Sequence, residues 1–144
     1  MAALDALSAD GWAATNGESF ELLRRLATVR LSGNFKKGQN GEIDLHSPAL
    51  CDVEVAAALR RSLLTRRLTG RRAADALEDF LDLPIFRHGH QALLGRMLQL
   101  RSNFSAYDAA YVALAEQLKG ELLTADDALA RAVRSQLPVP LVLA

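Results

Sequence analysis

Apolar positions along the chain alternate between helical spacing and short β-prone runs. Ser47-Pro48 reads as a helix start, a hydroxyl at the N-cap followed by proline at the first helical position, where its missing N–H is not needed. That helix is expected to run to about Leu64. Thr69-Gly70 breaks the pattern, and Ala73, Ala74, Leu77, Phe80 and Leu81 then recur at helical spacing up to Pro84, which predicts a second helix. Ile85-Phe86-Arg87-His88 is short, apolar and β-prone, whereas Leu94, Met97, Leu98 and Arg101 return the stretch from Gln91 to Arg101 to helical spacing. Ser105-Ala-Tyr-Asp108 has the spacing of a capping box. Tyr107, Ala110, Tyr111, Leu114 and Leu118 follow at helical intervals, and Lys119-Gly120 supplies the stop. Glu121 to Thr124 predicts a strand, Asp126 to Val133 a short helix, and Val139 to Val142 a last strand, assigned to an edge by Pro138 and Pro140.

Strands alternating with helices predict an α/β domain with a mostly parallel sheet, whose ligands gather at the carboxyl ends of the strands. The segment from Gly33 to Gly41, with Asn34, Lys36, Lys37, Gly38 and Asn40, reads as a polar connection. Residues 1–20 carry the weakest pattern: Ala2 to Leu7 is a brief candidate strand before Asp10-Gly11 interrupts it. No internal repeat is visible.

Composition narrows the class without naming a function. At 144 residues, half of them hydrophobic, the chain is the size of one ordinary globular domain whose core needs no disulfide or structural metal. The single cysteine, Cys51, cannot form an internal bridge and reads as a buried inert thiol. The longest terminal apolar run, Leu137 to Ala144, contains two prolines and is far short of the roughly 20 residues a membrane span requires. The N-terminus does not read as a signal peptide, so no membrane association and a cytoplasmic location are expected. Charge is balanced, 17 basic against 17 acidic residues, but unevenly placed. Arg60, Arg61, Arg66, Arg67, Arg71 and Arg72 fall within an acid-free stretch, and Asp75, Glu78, Asp79 and Asp82 follow at once. Such a run is either a solvated helix face or a surface that contacts phosphates.

Four acids stand where a parallel sheet would gather ligands: Asp5 after a short apolar run, Glu54 on a helix, Asp108 at a helix start and Asp126 just after a strand. Three or four carboxylates suit a hard divalent ion such as Mg²⁺ or Mn²⁺, which takes oxygen ligands and can share phosphate oxygens with a substrate. Phosphodiester hydrolysis is the chemistry expected of such a site. Each acid also has a purely structural reading. Asp108 completes a capping box with Ser105, and Asp126 or Asp127 suits the first turn of a helix. Glu54, among Val53, Val55, Ala56, Ala57 and Ala58, is expected on a helix packed on several sides, where an unpaired carboxylate would be costly.

Three motifs carry a family resemblance. Asp52-Val-Glu54-Val-Ala-Ala-Ala-Leu-Arg-Arg61, then Asn103-Phe-Ser105-Ala-Tyr-Asp108 through Glu116, then Leu122-Leu-Thr124-Ala-Asp126 with Leu129 to Ala132, resemble PIN-domain ribonucleases of the VapC toxin type. The resemblance is strongest over residues 42–136 and leaves residues 1–41 atypical. It implies one PIN-like three-layer α/β domain over residues 1–144, a mostly parallel central sheet flanked by helices. It further implies a Mg²⁺- or Mn²⁺-dependent endoribonuclease that cuts RNA such as tRNA or rRNA, is neutralised by a VapB-type antitoxin and forms a homodimer. Glu54, Asp108 and Asp126 match the family's second, third and fourth acids, and Ser105 and Thr124 its supporting hydroxyls. The first acid departs from the pattern, because Asp5-Ala6-Leu7 lacks the usual hydroxyl two residues on and Ser8 comes one residue late. Asp5 follows an apolar stretch, whereas Asp10 lies nearer the usual distance from Glu54. Arg60, Arg61, Arg66 and Arg67 are then candidate contacts for RNA phosphates or the antitoxin.

The remaining residues of chemical interest have plainer readings. His88-Gly-His90 lacks a third nitrogen or sulfur ligand at usable spacing for zinc, and His46 adds no clear third. Phe104, Tyr107, Tyr111 and Trp12 can stack on bases, but helical spacing assigns such residues to a core. A PIN-fold interaction module that has lost turnover is the alternative function. An acidic-pocket phosphotransfer receiver would need a suitably placed lysine, which Lys36, Lys37 and Lys119 do not provide.

Overall fold

The structure is a computed structural model and describes residues 28–31 and 44–143. These fall into two compact units, one holding residues 51–83 and the other residues 28–31, 44–50 and 84–143. The second unit carries a five-stranded sheet formed by β1 (Thr28–Leu31), β2 (Asp44–Pro48), β3 (Ile85–His88), β4 (Glu121–Thr124) and β5 (Leu141–Leu143), in the order β3-β2-β1-β4-β5. β2 pairs parallel with β3, and β4 pairs parallel with β5. β1 is antiparallel to both β2 and β4, with Val29 opposite His46 on one side and Leu122 on the other. Four strands therefore point the same way around one reversed central strand. The fold is α/β with a mostly parallel sheet, as the alternation of elements predicts. The reversed strand lies outside that alternation: an antiparallel neighbour needs only a loop, whereas a parallel one needs a crossover, usually helical. The candidate strand at Ala2 to Leu7 lies outside the described residues.

Ser47-Pro48 does not start a helix. Ser47 is fully buried within β2 and Pro48 is the last residue of that strand, opposite His88. Proline is tolerated there because the ladder passes to the next residue, Ala49, whose N–H donates to the His88 carbonyl at 2.8 Å. Helix α1 (Leu50–Leu64) begins beyond it, and the Leu50 N–H donates to His90 Nε2 at 3.3 Å. An imidazole from 40 residues away thus meets an amide that the hydroxyl of Ser47 was expected to serve.

The core of the sheet-bearing unit is built around α4 (Ala106–Leu118), which packs on β1, β2 and β4. Every residue from Ala109 to Ala115 is buried, and the alanines among them let the helix approach its neighbours closely. Full burial of a side chain such as Leu114 or Val112 contributes roughly 1.5–3 kcal/mol. The helix ends where Lys119 adopts a left-handed conformation, φ 52°, and Gly120 N–H reaches back to the Ala115 carbonyl at 3.0 Å. Helix α3 (Leu94–Gln99) is shorter than the predicted Gln91 to Arg101, because the buried anchors Leu93 and Leu100 sit in turns at its two ends. Arg96 on α3 grips Glu116 on α4 through two hydrogen bonds of 2.6 and 2.8 Å. The hydrogen bond to Glu116 holds the guanidinium above its ordinary range, so it is charged at any working pH. Helix α5 (Asp127–Gln136) buries Leu129, Ala130 and Val133 and packs on β4 and β5. β5 is an edge strand, as the prolines predict, though it begins at Leu141, after both of them; β3 forms the other edge.

In the other unit, α1 buries a single stripe of Cys51, Val55 and Leu59, at intervals of four residues. Val53, Ala56 and Ala57 are exposed, so the expectation of a helix packed on several sides does not hold. The helix closes at Arg66, φ 57°, with Arg67 N–H bonded to the Ser62 carbonyl. Helix α2 (Gly70–Asp82) starts at Thr69, whose hydroxyl accepts from Arg72 N–H, and buries Ala73, Ala76 and Phe80. Among the described residues, no helix is long and apolar enough to cross a membrane.

Candidate active site

Two of the four candidate acids sit in the sheet-bearing unit, each fixed by a local hydrogen-bond motif. Asp108 occupies the first turn of α4 and is half-buried. Ser105 is the N-cap: its Oγ accepts from Asp108 N–H at 3.1 Å and donates to Asp108 Oδ2 at 2.8 Å. Asp126 is the N-cap of α5, and its Oδ1 accepts from Ala128 N–H at 2.8 Å and Leu129 N–H at 3.0 Å. Its own N–H donates to Oγ1 of the buried Thr124, the last residue of β4, at 3.0 Å. The hydroxyls singled out in the sequence therefore orient the acids they accompany.

The chain path brings both acids to one edge of the sheet. α4 and β4 are joined through Lys119-Gly120 alone and pack on one another, so the strand must retrace the helix. From Asp108 the helix descends about 15 Å to Leu118 at 1.5 Å per residue, and β4 climbs back about 10 Å from Glu121 to Thr124 at 3.3 Å per residue before the bend at Ala125 that leads to Asp126. Asp108 and Asp126 consequently stand at the carboxyl edge of β4, where parallel sheets place their ligands.

The capping motifs also settle which carboxylate oxygens are engaged. Oδ1 of Asp126 takes both cap bonds and Oδ2 of Asp108 takes the serine hydroxyl, whereas Asp126 Oδ2 and Asp108 Oδ1 have no partner among the described residues. Each carboxylate thus holds its orientation with one oxygen and offers the other. Such a donor set fits a hard, oxygen-seeking divalent cation. Among the described residues of this unit, no three His, Cys, Asp or Glu side chains form a metal-holding group.

The other candidates are distributed as follows. Glu54 lies in the first turns of α1, in the other unit, and is half-buried. Asp5 and Asp10 lie outside the described residues, as does Trp12. Arg60 and Arg61 on α1, and Arg66 and Arg67 just beyond it, are all exposed. Leu59, Leu63, Ala73 and Leu77 form an apolar groove with Arg60 on its lining. The histidines are engaged separately: His90 meets the start of α1, while His46 Nδ1 and His88 Nε2 share a hydrogen bond of 2.8 Å across β2 and β3. Phe104 and Tyr111 are core residues, but Tyr107 is exposed and corrects the expectation for that position.

A family model for the PIN domain matches residues 14–134. The chain belongs to the PIN-domain family. A VapC ribonuclease of Mycobacterium bovis is 41% identical over 98 residues, which cover 68% of this chain and 77% of the relative. Ribonuclease VapC12 of Mycobacterium tuberculosis is 38% identical over 87 residues, 60% of this chain and 67% of its own length. Ribonuclease VapC3 of the same species is 41% identical over 88 residues, 61% of this chain and 64% of its own length. In this PIN domain two of the three motifs that carry the resemblance hold the capped acids Asp108 and Asp126, and the first, Asp52 to Arg61, lies on α1.

Proposed function

We propose that this PIN domain is a Mg²⁺- or Mn²⁺-dependent endoribonuclease, the toxin of a pair whose VapB-type antitoxin neutralises it. The observation that carries the reading is the pair Asp108 and Asp126, each locked by a cap and each with one uncommitted oxygen, in a chain whose relatives are ribonucleases. Glu54 and Asp5 complete the proposed acidic set. These acids would hold such a cation, which would supply Lewis acidity toward a phosphate and lower the pKa of a bound water. The protein's own part is positioning: Ser105 and Thr124 fix the two acids, and the first turns of α4 and α5 direct amide dipoles toward the edge where an anionic phosphate would lie. Arg60, Arg61, Arg66 and Arg67 hold RNA phosphates or the antitoxin. The proposed substrate is a tRNA or rRNA, the proposed assembly a homodimer and the proposed location the cytoplasm.

Incubation of total RNA with the purified protein and its Asp108→Asn variant, with Mg²⁺, with Mn²⁺ and with chelator, tests this reading. Wild type is expected to cleave only with metal, and the variant to lose activity by orders of magnitude without losing its fold. Chelator-resistant cleavage, or a variant as active as wild type, refutes the mechanism. A wild type inactive with every metal supports the alternative of an interaction module without turnover.

A further inference from the structure

The aromatic residues of the described chain divide cleanly. Phe80, Phe104 and Tyr111 are buried, and Phe86, though exposed, stacks on the His46 ring with centroids 5.0 Å apart. Tyr107 is 64% exposed, and neither its ring nor its hydroxyl has a partner among the described residues. A tyrosine with most of its surface in water contributes little packing that a polar residue could not replace.

Its position gives the exposure a use. Tyr107 and Asp108 are consecutive residues of the first turn of α4, so both side chains project from the same end of the helix, about 100° apart around its axis. Arg101, Ser102, Asn103, Ser105 and Ala106, which lead into that turn, are themselves exposed and leave the approach to the ring open. A base and its phosphate are separated by one ribose. A phosphate presented to Asp108 therefore carries a base within reach of the neighbouring aromatic face.

Resting on the ribonuclease reading of that edge, we infer that Tyr107 is a stacking platform for an unpaired RNA base adjacent to the phosphate that a cation on Asp108 would hold. Stacking of this kind accepts any base, because each has a π-face, but it requires a base that is not hidden in a duplex. Tyr107 thus contributes to choosing unpaired over paired RNA, and it acts on binding rather than on the chemical step.

The test uses a single-stranded oligoribonucleotide carrying one 2-aminopurine, whose fluorescence is quenched by stacking, titrated with Ca²⁺ in place of Mg²⁺ so that a cation is present to bring the phosphate to the acids, with the oligonucleotide checked to be intact afterwards. Tyr107→Ala is expected to raise Kd by about 5- to 150-fold, the loss of one base–aromatic stack. Quenching should be lost with it. Tyr107→Phe and Tyr107→Trp should retain both, while Tyr107→Leu, which keeps apolar bulk without an aromatic face, should behave like the alanine variant even if the latter folds poorly. With Mg²⁺, Tyr107→Ala should raise KM and leave kcat nearly intact. Wild type that fails to bind or quench the oligonucleotide, or an alanine variant matching wild type in Kd and quenching, overturns the platform. The two readings separate: cleavage with equal KM in wild type and Tyr107→Ala removes the platform alone. Tyrosine-dependent binding without cleavage under any metal removes the ribonuclease alone.

Discussion

Asp126 holds two roles that one pair of substitutions can separate. Its Oδ1 caps α5 by accepting from Ala128 and Leu129, and its Oδ2 is the oxygen available to a cation. Asp126→Ala removes both cap bonds, which typically costs about 0.5–2 kcal/mol, and the favourable charge at the helix N-terminus, about 0.3–1 kcal/mol more. The helix so weakened carries the buried Leu129 and Val133, so the loss falls on the core as well as on the site. For a chain of this size, about 4 °C of melting temperature accompanies each kcal/mol, so the alanine variant should melt about 3–12 °C lower. Asp126→Asn keeps the accepting oxygen, and asparagine ranks with aspartate as an N-cap, so only the charge contribution is lost, at most about 1 kcal/mol. Cleavage should nevertheless fall by orders of magnitude in both, because neither supplies the negative oxygen. The assay is a thermal melt beside metal-dependent RNA cleavage for wild type and the two variants. An asparagine variant that cleaves normally would falsify the ligand role, and one that melts as low as the alanine variant would refute the capping argument.

Two further outcomes follow from other elements. Replacing Arg60, Arg61, Arg66 and Arg67 with Ala should weaken RNA binding and flatten its dependence on log salt by about 0.7 for each phosphate no longer neutralised, measured in the Asp108→Asn background; an unchanged slope makes the four a solvated surface. Lys119→Gly should raise stability by about 0.5–1 kcal/mol in a denaturant melt, since glycine relieves the left-handed strain at the end of α4 and this gain exceeds its larger unfolded-state entropy; a lower midpoint refutes the assignment of strain there.

Features made by neighbours in the chain were legible from the residues alone. The Ser105 cap of α4 and the stop after Leu118 rest on hydrogen bonds spanning three to five residues, so spacing reveals them. Thr124 to Asp126 is read in the same way, and with Glu54 these residues form the motifs that led to the PIN family. What lay beyond local pattern was settled by partners distant in sequence. Ser47-Pro48 has the form of a helix start, but pairing with β3 claims it for a strand, and His90 serves the helix instead. The central strand Thr28–Leu31 alternates polar and apolar residues, but over only four positions, and its central place and reversed direction depend on ladders to β2 and β4. Tyr107 and Tyr111 stand at one helical interval and read alike in the sequence. Only the packing around α4 decided that Tyr111 is enclosed and Tyr107 is left in solvent, because periodicity gives the spacing of positions along a helix but not where its neighbours end.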